Sequence, residues 1–263
     1  MLEIAAACYA LVALLVVGLA GWLASVAKRD VSLVDTLWSL LFLLALVVYV
    51  TLSAAPLEQR GILVLVLVAL WSLRLSLHIG WRSRGKPEDR RYAAMRERNE
   101  PGFVWKSIYL VFGLQALLAW IIATPLAVAA TGSAPLGWLD TAGIALWIFG
   151  FLFESIGDAQ LARFVSNPAN RAQVMDRGLW RYTRHPNYFG EACVWWGYWL
   201  IAASAGGAWT VFAPLLMTAL LLKVSGVALL EQTIGSRRPA YRSYIEQTNA
   251  FIPGPSRARR RTQ

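Results

Sequence analysis

The stretch Asp35–Ala55 carries no charge after its first residue, and Ser107–Ala130 carries none at all. Runs of this length constrain the fold more than any motif does. About 20 consecutive apolar residues, wound as a helix, cross the ~30 Å hydrocarbon core of a bilayer. Five further runs behave alike: Leu2–Ala27 with only Glu3, Gly61–Gly80 with Arg74 and His78, Asp140–Ala162 with Glu154 and Asp158 inside it, Tyr188–Ala203 with Glu191, and Ala208–Leu230 with Lys223. They are apolar all round rather than striped, which argues against a soluble helical bundle. With 57% of 263 residues hydrophobic, the chain reads as an all-α polytopic membrane protein of seven transmembrane helices. A single transmembrane domain over residues 1–263 is expected. The first run is too long for a signal peptide, and its positive charges, Lys28 and Arg29, follow it rather than precede it.

The basic residues give the orientation. They fall in alternate connections, residues 28–34, 81–106, 163–187 and 231–263, leaving only Arg60 in the other connections and Arg74 and Lys223 within helices. Loops rich in Lys and Arg stay on the cytoplasmic side. The N-terminus is therefore expected outside and the C-terminus inside. The outward loops are short and nearly uncharged, so function is expected on the cytoplasmic face. The formal charge of +10 suits anionic lipid headgroups, above all at the tail "RARRRTQ". It does not suit nucleic acid, because the cations are spread over several short loops beside membrane. Cys8 and Cys193 sit in apolar runs, as small hydrophobes do, and His78 and His185 lie too far apart in sequence to suggest a metal set.

Three inward segments are chemically dense. In residues 80–102, Pro87 with Glu88 and Asp89 opens a short interfacial helix over Arg90–Glu97, and Arg82, Arg84, Lys86, Arg90 and Arg91 form a candidate phosphate-binding wall. In residues 159–187, Asn167 and Pro168 begin a turn, Gly178 ends a local element, and "LWRYTRHPNYFGE" follows. In residues 231–255, Pro239 starts a helix carrying Tyr241, Arg242 and Tyr244, and Pro253 stops it.

Ionisable residues inside membrane helices cost about 2.5–3.5 kcal/mol each on insertion scales and mark function or an internal partner. Glu154 and Asp158 are four apart and share a helix face; so do Arg74 and His78. Asp35 opens the second run, Glu191 the sixth, and Lys223 lies eight residues before Glu231. Together they read as the lining of a polar cavity open to the cytoplasm. Guanidinium groups pair with phosphates, aromatic rings stack on bases, and carboxylates accept from ribose or carboxamide. That mixture fits a phosphorylated nucleotide held by membrane helices and their loops, since the chain has neither GxGxxG nor a Walker loop.

The segments "GLWRYTRHPNYFGE", "YRSYIEQTNAFIPGP", "LRLSLH" and "GKPEDRRY" together resemble the steroid 5α-reductase family, nearest its bacterial branch, from about Asp35 to Pro253. A similar Arg-His-Pro-x-Tyr block occurs in isoprenylcysteine carboxyl methyltransferases. The resemblance implies seven transmembrane helices, NADPH as hydride donor, and reduction of the Δ4 bond of a 3-oxo steroid or similar isoprenoid. It implies nucleotide contacts at Asp158, Asn187 and Glu191, with Tyr182 in the same block. Arg74, Arg82, Arg84, Arg171, Arg184, His185, Tyr241 and Arg242 complete the expected cofactor set. It places Asp35 near the enone carbonyl, with His78 a second candidate proton donor. Steroid-active members carry a Tyr a few residues before the intramembrane Arg. Here Trp71 and Ser72 stand instead, and the Trp71 indole is the candidate hydrogen-bond donor to the ketone. The expected partners are an apolar substrate from the bilayer and the lipids themselves, in a bacterial inner membrane. The alternatives are an S-adenosylmethionine-dependent methyltransferase and a non-catalytic lipid carrier.

Overall fold

The computed structural model describes residues 3–171, 173–224 and 240–255, and every regular element among them is helical. The chain divides into two compact units, Met1–Gly137 with Ala202–Thr210, and Trp138–Ile201 with Val211–Gln263.

The first unit is a bundle of α1 (Ile4–Lys28), α2 (Leu33–Leu52), α3 (Gln59–Ser83) and a composite fourth rod. That rod runs through α5 (Phe103–Ser107), a π-helix (Ile108–Gly113), α6 (Leu114–Ile122) and α7 (Thr124–Ala130). α2 is the hub, packed on α1, α3, α6 and α7. α1 buries Ala6, Ala10, Leu14, Gly18, Gly21 and Ser25. These recur every three or four residues and form one seam of mostly small side chains. Lipid tails are as apolar as leucine, so close backbone approach and van der Waals contact hold such helices together. The seam closes on Phe112, whose carbonyl oxygen lies 3.5 Å from where a Cβ of Gly18 would stand. The opposite face of α1 leaves Tyr9, Val12, Val16 and Leu23 exposed, as a lipid-facing surface does. In the first turn of α3 Arg60 is 1% exposed. It donates to the carbonyls of Gly132 at 3.2 Å, Ala134 at 2.9 Å and Pro135 at 2.9 Å. One guanidinium fork thus satisfies a loop whose backbone would otherwise be unmet.

The short helix expected over Arg90–Glu97 exists as α4 (Arg90–Asn99). It opens at Asp89 rather than Pro87. The Asp89 carboxylate accepts from the Arg91 N–H at 2.9 Å, an N-cap at the positive end of the helix. Glu88 docks it to the turn after α1 by accepting from the Val31 N–H at 2.8 Å and from Arg96 at 2.7 Å.

In the second unit α8 (Trp138–Ser166) buries Asp140, Gly143, Trp147, Gly150, Glu154, Gly157 and Asp158. Their spacing of three and four is a heptad seam. Glycine holds every second place, and α9 (Pro186–Ser204) answers with Gly190 and Gly197. A Cβ on Gly150 would stand 2.6 Å from the Gly190 carbonyl oxygen, and one on Gly143 2.8 Å from that of Gly197. The helices therefore meet backbone to backbone over unit-two residues. A short helical turn (Gly178–Arg181), α10 (Phe212–Ala219) and α11 (Ala240–Gln247) complete this unit. Gly178 begins that turn instead of ending an element. Its φ is +59°, and any side chain there would meet Gln160 at 2.5 Å.

Among the described residues five helices are long and apolar enough to cross a membrane: Ile4–Lys28, Leu33–Leu52, Gln59–Ser83, Phe103–Ala130 and Trp138–Ser166. The chain is a helical membrane protein. The expected sixth span corresponds to α9, 19 residues long. The seventh corresponds to the shorter apolar stretch Ala208–Lys223, and its continuation to Leu230 lies outside the described residues. So do Glu231, Pro239 and the basic tail.

Candidate functional site

Residues 179–185 are a strap between the C-terminal part of α8 and the C-terminal segment. Leu179 donates its N–H to Gln160 at 3.0 Å, and the Trp180 indole donates to the Gly157 carbonyl at 3.0 Å. On the other side the Gly254 N–H reaches the Tyr182 carbonyl at 3.0 Å, the Thr183 hydroxyl reaches the Phe251 carbonyl at 2.8 Å, and the Arg184 N–H reaches the Asn249 carbonyl at 2.9 Å. The Tyr244 hydroxyl donates to the Trp180 carbonyl. The strap is over-determined, which fixes the residues that follow it. Arg184 also donates to the carbonyls of Ile245, at 3.1 Å, and Thr248. It thereby supports the last turn of α11, where unmet carbonyls favour a cation.

The second unit, the strap included, buries several ionisable side chains. Glu154, Asp158, Arg184, His185 and Glu191 are each less than a tenth exposed. The His185 ring stacks on Tyr188 with centroids 5.5 Å apart and planes 5° apart. Asn187, in the first turn of α9, holds its side-chain oxygen Oδ1 buried, with no hydrogen bond from any described residue. Ser155 Oγ on α8 is buried in the same condition. A buried acceptor without a donor costs about 1–3 kcal/mol, so Asn187 Oδ1 is open to a donor from outside the described residues.

The first unit has its own polar centre. Asp35, at the start of α2, takes the Arg91 guanidinium at 2.6 Å on one carboxylate oxygen and the Tyr92 hydroxyl at 2.6 Å on the other. Arg91 also reaches Asp89 at 2.9 Å. Gln115 of α6 donates to the Tyr92 oxygen at 3.3 Å. Burial, the charge of Asp35 and the bond to it push the Tyr92 phenol well above its ordinary value. Burial alone would lower Arg91, but Asp35 and Asp89 outweigh it and raise it. Burial likewise would raise the Glu88 carboxyl, but the Arg96 bonds and the Val31 N–H outweigh it and hold Glu88 below the usual carboxylate value.

The expected site residues thus divide between the units. In the first, Trp71 is fully buried against Phe42, their rings 5.9 Å apart. Arg74 and His78 are half-buried, the His78 ring 6.3 Å from Trp81, and Arg82 and Arg84 are exposed. In the second, Asp158, Arg184, His185, Glu191 and Tyr241 are buried and Asn187 is half-buried, while Arg171, Tyr182 and Arg242 are exposed. Arg91, expected in a phosphate-binding wall, is instead paired with Asp35 and Asp89. Tyr92 was missed by sequence reasoning. The only signal for it was an aromatic closing the charged run "GKPEDRRY" on an otherwise polar helix.

A family model described as a protein of unknown function (DUF1295) matches residues 21–248. An uncharacterised protein of Schizosaccharomyces pombe is 28% identical over 267 residues, a match that covers 88% of this chain and 75% of the relative.

Proposed function

The chain belongs to the DUF1295 family, and from that premise we propose that it is a membrane-embedded oxidoreductase. In this reading it transfers a hydride from NADPH to the C=C bond of an enone lipid, a 3-oxo steroid or similar isoprenoid. It sits in a bacterial inner membrane with its site loops toward the cytoplasm. The reading draws on the resemblance to steroid 5α-reductases. One observation carries it: buried Asp158, Arg184, His185 and Glu191 gathered in one unit with the unmet Asn187 Oδ1.

The residues fit a dinucleotide's polar groups. Asn187 Oδ1 needs a donor, and a carboxamide N–H or ribose hydroxyl is one. Asp158 and Glu191 offer carboxylate lone pairs for further hydroxyls. Arg171 and Arg242, being exposed, are available to phosphate. When bound, NADPH supplies the hydride. Reduction of an enone then leaves negative charge on the carbonyl oxygen, and a fixed hydrogen-bond donor there lowers the barrier. Trp71 and His78 are the candidate donors.

A second reading has an observation in its favour. Arg184 spends donors on the carbonyls of Ile245 and Thr248, which leaves fewer donors for phosphates. S-adenosylmethionine carries no phosphate, so methyl transfer is the alternative. Titration of the purified protein with each ligand, followed by thermal stability, separates them. A ligand at 100 times its dissociation constant adds about 2.7 kcal/mol of stability. The expected result is a shift with NADPH that Asn187→Leu weakens about tenfold in apparent affinity. A shift with S-adenosylmethionine alone overturns the reductase reading, and no shift with either favours a lipid carrier.

A further inference from the structure

Gln115 lies well inside the candidate span Phe103–Ala130 and closely follows the π-helix Ile108–Gly113. Its amide orientation follows from its neighbours. Tyr92 donates its proton to Asp35 at 2.6 Å, and the raised phenol keeps that proton. The Tyr92 oxygen can then only accept, so Gln115 must present its nitrogen to it, as the 3.3 Å contact has it. The amide oxygen Oε1 is left over. It is buried and receives no hydrogen bond from any described residue. The π-helix marks the same place independently, since such stretches are frequent at functional sites.

We propose that Gln115 anchors a binding site for an apolar, bilayer-borne ligand bearing a hydroxyl group, whose proton Oε1 accepts. The count of donors and acceptors sets the ligand class. A ketone or an ether would set acceptor against acceptor; a hydroxyl supplies the missing proton. The surroundings suit a hydrocarbon body, because Tyr92 is embedded among Trp22, Val34, Phe103, Val111 and Phe112. The inference does not depend on hydride chemistry.

The test uses the full-length protein in nanodiscs, without nucleotide, titrated with geranylgeraniol and with its methyl ether. A flexible isoprenoid chain adapts to an apolar site of any shape, and the ether keeps the oxygen while losing the donor. Wild-type protein is expected to bind the alcohol about tenfold more tightly, the worth of one hydrogen bond. Gln115→Leu is expected to bind both at the ether's level. Tyr92→Phe keeps Oε1 but releases the amide, and is expected to keep only part of the discrimination. Equal binding by wild type overturns the proposal, as does discrimination that survives in Gln115→Leu. Binding of neither compound means that water alone meets the acceptor, and overturns it too. None of these outcomes bears on the NADPH reading, which fails only on its own titration.

Discussion

Arg184 shows how far a residue type narrows the chemistry. A buried guanidinium must be met by acceptors, and sequence alone cannot say whether phosphate or backbone supplies them. Here the carbonyls of Ile245 and Thr248 accept from it, and its own N–H binds Asn249. Replacing Arg184 with Ala is therefore expected to cost about 2 kcal/mol of stability, the worth of charge-assisted bonds to buried acceptors. A lowered thermal midpoint without ligand is the readout. Unchanged stability with lost nucleotide binding would show instead that the side chain serves only the cofactor. The buried acids Glu154, Asp158 and Glu191 were legible, because a carboxylate in an apolar run is conspicuous. The Asp35–Tyr92–Gln115 chain was not. Its members lie 57 and 23 residues apart, and hydrogen bonds at such separation leave no periodic trace in a sequence.

Elements were legible where length alone decides them. An apolar run of 20 residues can only be a spanning helix, so α1, α2, α3 and the Phe103–Ala130 rod match their runs closely. The π-helix inside that rod was not legible, since an extra residue in a helical turn leaves the apolar pattern intact. The glycines at 143, 150 and 157, answered by 190 and 197, carry a signal of their own, because a seven-residue repeat of the smallest side chain keeps one face open to another backbone. Not every glycine in a membrane helix serves this way, which makes a paired prediction possible. At Gly150 a Cβ would meet the Gly190 oxygen at 2.6 Å and the Val194 nitrogen at 2.7 Å. Both atoms are backbone, so relief requires the helices to separate. Gly150→Ala is expected to destabilise by about 1–3 kcal/mol. At Gly18 the nearest atom is 3.5 Å away, an ordinary contact. Gly18→Ala is expected to be neutral or to stabilise by up to about 1 kcal/mol through the reduced freedom of the unfolded chain. Thermal midpoints of opposite sign confirm the assignment; equal losses would deny that the α8–α9 approach is special.

At the scale of the whole molecule the distribution of charge makes a claim that neither unit makes alone. Lys and Arg crowd the connections at 81–106 and 163–187, while the loop after α7 has none. The positive-inside rule sets the first two in the cytoplasm and the third outside. A chain with five long apolar helices alternates sides at each crossing, so one orientation fixes all the loops. Cys8 and Cys193 are both free thiols and can be replaced by Ser to give a cysteine-free background. Ser133, on the loop after α7, and Ser83, the last residue of α3, are both exposed and fall on opposite predicted sides. In intact cells a membrane-impermeant maleimide is expected to label Ser133→Cys and to leave Ser83→Cys unlabelled until the membrane is opened. The reverse pattern would set the dense loops outside, away from cytoplasmic NADPH, and would remove the reductase reading along with the topology. Labelling of both in intact cells would mean that an odd number of crossings does not separate them, and the span assignment between α3 and α7 would fall.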